Sequence, residues 1–201
     1  MKQQFEHIYA HNIWGSGSGE GSFLIHARPY VTFLQRFLRE RDIRSVVDFG
    51  CGDWQFSKAI DWGDIRYRGY DIVASVVLEN RKRYQTRHIT FHEIGGACDD
   101  LPPADLLIVK DVLQHWSDES VLAFLPVISR FRYALITNCV NPLGPTQNLP
   151  IEDAGFRYLD LRLPPFNIAA HEAFSFTNQR TLLNRFFGTP RWRKKVLLVQ
   201  H

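Results

Sequence analysis

Short apolar runs with the length of buried strands alternate along this sequence with segments of helical periodicity. The predicted strands cover residues 45–49, 67–70, 89–92, 105–109 and 133–137. A run without polar alternation is typical of a strand that is covered on both faces, as in a parallel sheet. Consecutive parallel strands need right-handed crossovers, which helices usually supply. The alternation therefore predicts a three-layer α/β sandwich.

The segments between the predicted strands have the features of helices. From Pro29 onwards, apolar side chains recur at a spacing of three and four residues, and the positions between them are polar. Further helices are predicted at 54–60, at 75–84 and after Ser117, whose side chain can cap a helix that opens with two acids. We expect these helices to cover both faces of the sheet.

The last part of the chain departs from this alternation. Residues 141–165 contain five prolines and have no helical period. Phe174–Phe176 and Lys195–Gln200 have strand character, and we expect them to add an antiparallel pair to the sheet. The prediction is therefore a seven-stranded, mostly parallel sheet with one antiparallel strand.

Length and composition predict one folded domain. The chain has 201 residues, of which 45% are hydrophobic and 22% are charged, as in an ordinary globular domain. Within this single domain, residues 1–28 are predicted to form a lid segment, and residues 141–172 an insertion in the substrate region. The net charge of +3 is too small to steer the whole molecule onto a polyanion.

The cysteines and the apolar runs bear on the cellular compartment. Cys51, Cys98 and Cys139 are odd in number and form no Cys-x-x-Cys pair, which favours a reducing compartment. The first residues contain no apolar signal segment, and no apolar run approaches the roughly 20 residues of a membrane helix. We therefore expect a soluble cytoplasmic protein and leave its oligomeric state open.

The turn after the first predicted strand is the first candidate for a ligand site. Gly50 and Gly52 leave room for a ligand against the backbone, and Asp48 ends the strand at the same place. Asp71 closes the second strand 19 residues after Gly52 (71 minus 52), where an acid can accept both ribose hydroxyls. A dinucleotide would favour a small residue in place of Gln55, and Asp48 suits a cation better than a phosphate. The pattern predicts a pocket for a positively charged adenosine compound without phosphates.

A glycine- and serine-rich run occupies residues 14–22. Its composition is that of a flexible linker. Alternatively, its glycines let backbone amides close over a ligand, with Trp14 as the anchoring side chain. The sequence leaves both interpretations open.

The motifs together resemble those of the class I S-adenosylmethionine-dependent methyltransferases, whose fold is Rossmann-like. The resemblance is closer to a bacterial branch that opens with a Trp-Gly-Ser-Gly segment and has Cys-Gly-Asp in its glycine turn. The matching segments here are Trp14–Gly17, Cys51–Asp53, Tyr67–Val73 and Gly155–Phe166. The resemblance implies S-adenosylmethionine as the methyl donor and S-adenosylhomocysteine as the product.

The resemblance also implies roles for particular residues. The residues expected to bind the donor are Asp48, Gly50, Cys51, Gly52, Trp54, Asp71, Ile72 and Lys110, with Asp99 or Asp100 holding the adenine amino group. After the fourth strand, His115 is the candidate base, and Asp111 is expected to orient the loop or the acceptor. The residues expected to contact the acceptor are Trp14, Asn138, Arg157 and His171.

Several of these residues have an alternative, structural interpretation. His115 can bond a backbone carbonyl just before a helix, as histidines often do at that position. Arg157 can receive a carboxylate or phosphate of the substrate, or it can tie down the proline-rich segment. Asp99 and Asp100 can cap a loop, and Trp54 can belong to the core.

The leading functional hypothesis is an enzyme that transfers a methyl group to an oxygen or nitrogen atom of a small-molecule or saccharide-like acceptor. Catalysis would come from alignment of donor and acceptor, with removal of a proton where the acceptor is a hydroxyl. No His and carboxylate cluster at ligand spacing is visible in the sequence, so no metal is predicted.

The sequence suggests two other functions. Methylation of RNA or DNA is suggested by the basic residues 81–83 and 191–195, the second with an interleaved tryptophan. Short basic runs are usually solvated surface, which makes a nucleic-acid partner the less favoured alternative. A binding module without turnover is also conceivable, but the intact acids and glycines at the first two strands argue against it.

Overall fold

The computed structural model describes residues 1–15, 17–95, 101–178 and 192–201. Its helices are α1 (Lys2–Ala10), α2 (Leu24–Glu40), α3 (Ala74–Tyr84) and α4 (Asp118–Ile128). Its strands are β1 (Ser45–Phe49), β2 (Arg66–Asp71), β3 (Ile89–Glu93), β4 (Leu106–Lys110), β5 (Tyr133–Val140), β6 (His171–Thr177) and β7 (Arg193–Gln200). Short 3₁₀ turns lie at Glu20–Ser22, Ser57–Ala59 and Leu113–His115.

The seven strands form one sheet in the order β3-β2-β1-β4-β5-β7-β6. Strands β1 to β5 pair in parallel with one another, whereas β7 is antiparallel to both β5 and β6. The predicted α/β class, the strand count and the single antiparallel strand are confirmed. Because the order reverses between β1 and β4, a crevice opens at the carboxyl ends of these two strands.

Each face of the sheet buries its own hydrophobic cluster. Val47, Phe49 and Leu107 point to the face that packs on Phe124 of α4. Their neighbours along the same strands point to the other face, where α2 contributes its apolar side. A strand that is buried on both faces needs apolar residues at consecutive positions, which explains the uninterrupted apolar runs.

Two predicted helices differ from the structure. Helix α2 begins at Leu24, five residues before Pro29, because the buried Ala27 already belongs to its core-facing side. The helix predicted at 54–60 is wrong, since this segment forms only the 3₁₀ turn Ser57–Ala59. Trp54 has a φ of +60°, which is incompatible with an α-helix, and its indole is buried. Helix α1 was not predicted.

No helix in the four described ranges is both long and apolar enough to cross a membrane.

Candidate active site

A cavity of about 690 Å³ lies at the carboxyl ends of β1, β2 and β4. It occupies the crevice where the strand order reverses, and its volume is within the range that holds small-molecule ligands. Its walls come from the glycine turn after β1, the ends of β2 and β5, the segment after β4, helix α4, the amino-terminal segment, the proline-rich segment and the start of β7. The site is therefore assembled from parts of the chain that are far apart in sequence.

The glycine turn forms the floor of this cavity. Gly50 and Gly52 have φ angles of +75° and +53°, which glycine adopts without strain. The carbonyl oxygen of Tyr70 accepts hydrogen bonds from the backbone N–H groups of Gly50 and Cys51. A Cβ atom on Gly50 would collide with the side chain of Val112. The turn therefore lies close to both β2 and the segment after β4, and it leaves no room for a side chain at Gly50.

Asp71 ends β2 at the cavity wall and is buried. Its Oδ2 atom accepts a hydrogen bond from the Gly52 N–H at 2.9 Å, and its Oδ1 atom accepts one from the Val73 N–H at 3.0 Å. Burial raises the pKa of Asp71, and these backbone donors oppose the shift. Each carboxylate oxygen can still accept another hydrogen bond, so the group can receive two ligand hydroxyls.

Asp48 lies at the same floor, below the glycine turn. The Tyr67 hydroxyl donates a hydrogen bond to its Oδ2 atom at 2.6 Å. Burial raises the pKa of Asp48 to about 6, although the Tyr67 hydroxyl and the Lys110 ammonium lower it. A cationic ligand would stabilise the ionised form of this carboxylate, because its positive charge offsets the free-energy cost of burying a negative charge.

The amino-terminal segment covers the glycine turn. The Asp53 N–H donates to Ser18 Oγ at 2.9 Å, and the Ser18 N–H donates to Asp53 Oδ2 at 3.2 Å. Tyr9 of α1 contacts Ser18 Oγ through its hydroxyl at 2.8 Å. Trp14 lies over the cavity and packs edge-on against Tyr9. These contacts place the segment predicted as a lid directly beside the predicted donor site.

Asp111 follows β4, and one of its carboxylate oxygens forms ion pairs with two ammonium groups. Lys110 Nζ lies 2.6 Å and Lys194 Nζ 2.5 Å from Asp111 Oδ2. Burial opposes ionisation of Asp111, but the two ammonium groups outweigh it and hold its pKa at about 2. Asp111 has a φ of +60°, an uncommon angle for a residue other than glycine. This backbone conformation turns its carboxylate toward the two lysines.

His115 lies at the cavity wall with both ring nitrogens engaged. Its Nδ1 atom lies 2.7 Å from the carbonyl oxygen of Gly155, which only accepts, so Nδ1 carries the proton. The amide of Gln114 lies 3.3 Å from Nε2 and is oriented by the Cys139 N–H, which donates to Gln114 Oε1. Burial lowers the pKa of His115. The imidazole is therefore neutral near pH 7, with its lone pair on Nε2.

Aromatic side chains surround this histidine. The ring of Trp14 lies 5.3 Å from the imidazole, between centroids, and that of Phe156 lies 5.8 Å away. Phe156 is exposed on its outer side, so it marks the mouth of the cavity. Trp14, predicted to contact the acceptor, thus lies against the predicted base.

The other residues predicted for the donor have different positions. Cys51 and Ile72 line the cavity. Trp54 also lines it, but its indole packs among the rings of Tyr67, Tyr84 and Phe91 in the core. Asp99 and Asp100, expected to hold the adenine amino group, lie outside the described residues.

Arg157 is buried away from the cavity. Its guanidinium donates to the Asp118 carboxylate and to the carbonyl oxygens of Leu149 at 3.0 Å and Trp116 at 2.8 Å. Its Cζ atom lies 5.3 Å from the ring centroid of Phe166. These contacts join the proline-rich segment to the start of α4, and they favour the structural interpretation of this arginine.

Two further residues predicted to contact the acceptor also lie apart from the cavity walls. Asn138 is buried in β5, opposite Lys195 of β7. His171 is exposed at the start of the edge strand β6, where it is paired with Leu198. Strand β6 runs parallel to β5, so its first residue lies toward the amino ends of the parallel strands and far from the site. The structure does not bring either residue to His115.

The basic runs are largely engaged within the protein. Arg81 donates to the Phe91 carbonyl at 2.8 Å, and Arg83 pairs with Glu79. Lys194 pairs with Asp111, and Lys195 Nζ lies 3.0 Å from the Glu172 carboxylate. Arg191 lies outside the described residues. No cluster of three or more His, Cys, Asp or Glu that could hold a metal ion occurs in the part of the chain that the structure describes.

Sequence reasoning missed four residues of the site: Tyr9, Ser18, Gln114 and Lys194. The periodicity of Phe5, Ile8 and Tyr9 is a weak signal for helix α1 that was available. Nothing in the sequence singles out Lys194 within its basic run, because its position depends on the antiparallel register of β7 against β5.

Residues 31–141, more than half of the 201 residues, match the family model of the O-methyltransferase domain. The match includes the glycine turn, Asp71, Asp111 and His115. No curated protein matches the chain significantly.

Several solved methyltransferases have a similar fold. Magnesium protoporphyrin IX methyltransferase (ChlM) from Synechocystis PCC 6803, with bound S-adenosylhomocysteine, has a TM-score of 0.60 at 16% identity, over 88% of this chain and 84% of that chain. The N-methyltransferase NodS from Bradyrhizobium japonicum, also with S-adenosylhomocysteine, has a TM-score of 0.59 at 13% identity, over 87% and 86%. The methyltransferase domain of bacterial CtHen1 has a TM-score of 0.57 at 16% identity, over 86% and 97%. At these identities the similarity concerns the fold.

Proposed function

The chain belongs to the O-methyltransferase domain family, and on that premise we propose that it transfers the methyl group of S-adenosylmethionine to a hydroxyl oxygen, or to a nitrogen, of a small-molecule or saccharide-like acceptor. Membership of this family makes the chain an enzyme of the methyltransferase class. The donor, the acceptor and the roles of the residues are the content of the proposal.

The observation that carries the proposal is the position of Asp71 against the glycine turn. Its carboxylate is buried at the cavity wall and accepts the Gly52 N–H, which leaves one further acceptor position on each oxygen. Two vicinal hydroxyls of a ribose match this arrangement. Gly50, whose Cβ position is closed by Val112, lets the ligand lie directly on the backbone.

Asp48 supports the charge of the proposed donor. Its buried carboxylate has a raised pKa and therefore favours a cationic ligand, as an amino or sulfonium group would be. When bound, S-adenosylmethionine supplies a methyl group that is activated for displacement by its sulfonium. The residues of the chain hold this end of the donor near the ends of β1 and β4, beside Asp111 and His115.

His115 is proposed to accept the proton of the acceptor hydroxyl. The Gly155 carbonyl fixes the proton on Nδ1, so the lone pair lies on Nε2 and can take the hydroxyl proton as the oxygen attacks the methyl carbon. The weak donor Gln114 must yield this position. The negative charge of Asp111 favours the imidazolium that forms. As the C–O bond forms, the C–S bond of the sulfonium breaks and S-adenosylhomocysteine leaves as the neutral thioether. The methyl group stays on the acceptor oxygen, and the proton leaves through His115 to solvent.

The aromatic walls define the rest of the acceptor site. Trp14 and Phe156 flank His115 on the mouth side, and Tyr158 and Trp192 also line the cavity. Aromatic faces of this kind bind flat apolar rings or the apolar faces of sugars. The segment 1–28 is proposed to act as a lid, because Trp14 and Ser18 lie over the acceptor and donor positions.

The proposal is tested by calorimetric titration of the protein with S-adenosylmethionine and S-adenosylhomocysteine, with NADH as the control ligand. Micromolar binding of the two sulfur ligands and none of NADH is expected. Asp71→Asn removes the charge that receives the ribose hydroxyls, and we expect it to weaken binding about 100-fold or more. Asp64→Asn, which changes a fully exposed carboxylate, should bind like the parent. Equal affinity of Asp71→Asn and the parent would contradict this placement of the donor.

A further inference from the structure

Lys194 is a buried ammonium group that the proposed reaction does not use. Its side chain is 3% exposed, yet it lines the cavity. Its ion-pair partner among the described residues is Asp111, and Asp111 shares the same oxygen with Lys110. The Lys110 ammonium also interacts with the buried carboxylate of Asp48, whose pKa it lowers. Lys194 is therefore the ammonium whose charge is less fully balanced.

The hydrogen-bonding capacity of Lys194 is also incompletely used. An ammonium group has three N–H donors, and in the described part of the chain Asp111 Oδ2 accepts one of them. Another direction is covered by the Trp192 ring, whose centroid lies 4.7 Å from Nζ. Buried donors in proteins almost always have acceptors. The donor that remains can reach an acceptor in the cavity.

The register of the sheet places Lys194 on the acceptor side of the cavity. Lys194 opposes Cys139, so the start of the antiparallel strand β7 lies beside the carboxyl end of β5. Strands β1, β4 and β5 separate β7 from β2, which carries Asp71. At about 4.8 Å between strands, this is a separation of roughly 19 Å across the sheet. The charge of Lys194 acts on His115, the proposed base.

We propose, building on the methyltransferase function proposed above, that Lys194 binds a carboxylate group of the methyl acceptor. The acceptor is then a hydroxylated small-molecule acid whose hydroxyl reaches His115. A carboxylate suits this position better than a phosphate ester, because the nearby charge of Asp111 opposes a dianion.

The neighbours of Lys194 indicate the body of this acid. Trp192, Phe156 and Trp14 line the same cavity and offer ring faces. Gly21 of the amino-terminal segment lies so close to Lys194 that a side chain at this position would collide with Nζ. The segment therefore closes over the ammonium group and excludes water, which strengthens an ion pair with a bound carboxylate. A hydroxylated aromatic acid fits these walls.

The test compares an acid with its neutral counterpart on the product-loaded protein. The protein saturated with S-adenosylhomocysteine is titrated with a dihydroxybenzoate, the matching dihydroxybenzamide and the matching phosphate monoester. In the parent protein, we expect the acid to bind at least tenfold more tightly than the amide or the phosphate ester. Lys194→Gln should abolish the preference for the acid over the amide. Lys195→Gln is the matched control, because the next side chain of β7 points to the opposite face and pairs with Glu172.

Several outcomes would overturn the proposal. These are equal binding of acid and amide by the parent, tighter binding of the phosphate ester, binding of none of the three probes, or a preference that survives in Lys194→Gln. A loss of S-adenosylhomocysteine affinity in Lys194→Gln would assign Lys194 to the donor instead. Failure of the parent to bind S-adenosylhomocysteine would contradict the proposed function itself, so the two failures are distinct. The comparison of acid and amide on the parent needs no variant and is independent of its folding.

Discussion

The Nδ1 atom of His115 lies 2.7 Å from the carbonyl oxygen of Gly155. This hydrogen bond joins the segment after β4 to the proline-rich segment. A second hydrogen bond joins the same two segments, because the Ala154 N–H donates to the His115 carbonyl oxygen at 2.7 Å. The pair of bonds fixes both the orientation and the tautomer of the imidazole. The histidine therefore has a structural contact on Nδ1, whereas its Nε2 lone pair has only the longer 3.3 Å contact with the Gln114 amide.

Replacement of His115 separates these two roles. If the lone pair on Nε2 acts as the base, His115→Ala should lower kcat by about 10²- to 10⁴-fold with an oxygen acceptor. The affinity for S-adenosylhomocysteine should stay within about twofold of the parent, because the donor site lies at β1 and β2. Steady-state kinetics and calorimetry on the same preparation check this. Equal losses of turnover and affinity would identify His115 as purely structural.

The pH dependence of turnover gives a second test of the same residue. Burial lowers the pKa of His115 below its ordinary value of 6.5. A base is active when neutral, so kcat should be constant around pH 7 and fall only below pH 6.5 as the imidazole gains a proton. A pH profile of kcat in the parent and in His115→Ala measures this. The acidic limb should be missing from the residual activity of the variant, and its persistence would assign the limb to another group.

Replacement of Gly50 tests whether the methyl donor binds against the backbone of the glycine turn. Gly50→Val introduces a side chain at a φ of +75° and against Val112, so it should abolish binding of S-adenosylhomocysteine. Gly144→Ala is a suitable control, since a Cβ atom there meets only Asn141 at 3.8 Å. Calorimetry reports binding, and circular dichroism verifies that the variant is folded. A folded Gly50→Val that binds like the parent would show that the pocket lies elsewhere.

Asp48 is expected to reduce the stability of the ligand-free protein. Its pKa is raised by burial from 3.8 to about 6, so the folded state disfavours the ionised form. Below about pH 3 the group is neutral in both folded and unfolded states and has no cost. As the pH rises to about 6 the cost grows, to on the order of 2–3 kcal/mol, and then stays constant. Asp48→Asn should therefore be more stable than the parent at pH 7, and this advantage should disappear at about pH 3.

Urea denaturation of both proteins at several pH values measures the difference in the free energy of unfolding. A difference that does not depend on pH would contradict the raised pKa. We also expect Asp48→Asn to bind S-adenosylmethionine more weakly than the parent, because the cationic end of the donor loses its carboxylate.

Replacement of Arg157 distinguishes a structural role of this residue from a role in acceptor binding. Arg157→Met leaves the buried carbonyl oxygen of Trp116 and the partly buried one of Leu149 without their donor, and it should lower the free energy of unfolding by about 2–4 kcal/mol. Arg36→Met, at an exposed ion pair of α2, should change it by less than about 1 kcal/mol. Denaturant unfolding compares the two variants. Parental stability of Arg157→Met with a raised KM for the acceptor would instead favour its predicted contact with substrate.

The sequence alone determined most of the parallel sheet and the donor side of the site. Residues such as Val46 and Val47 are apolar at consecutive positions because β1 is covered on both faces, and this signal is local. Gly50, Gly52 and Asp71 are also recognisable locally, because their chemistry depends on a turn and on the end of a strand. The helix predicted at 54–60 failed because the left-handed backbone of Trp54 follows from packing of its indole, which is a tertiary effect.

Only the tertiary structure decided what surrounds the base. The contact of His115 with Gly155 spans 40 positions of the chain, and that of Lys194 with Asp111 spans 83. The sequence left Arg157 as a candidate ligand for an anion, but in the structure its two terminal guanidinium nitrogens donate to Asp118 and to the Trp116 carbonyl at the start of α4. Sequence patterns register the periodic burial of neighbouring residues, whereas these contacts depend on how distant segments meet at one edge of the sheet. The physical reason is that burial recurs along the sequence with the period of a helix or a strand. An ion pair or a hydrogen bond between distant segments leaves no such repeat in the sequence.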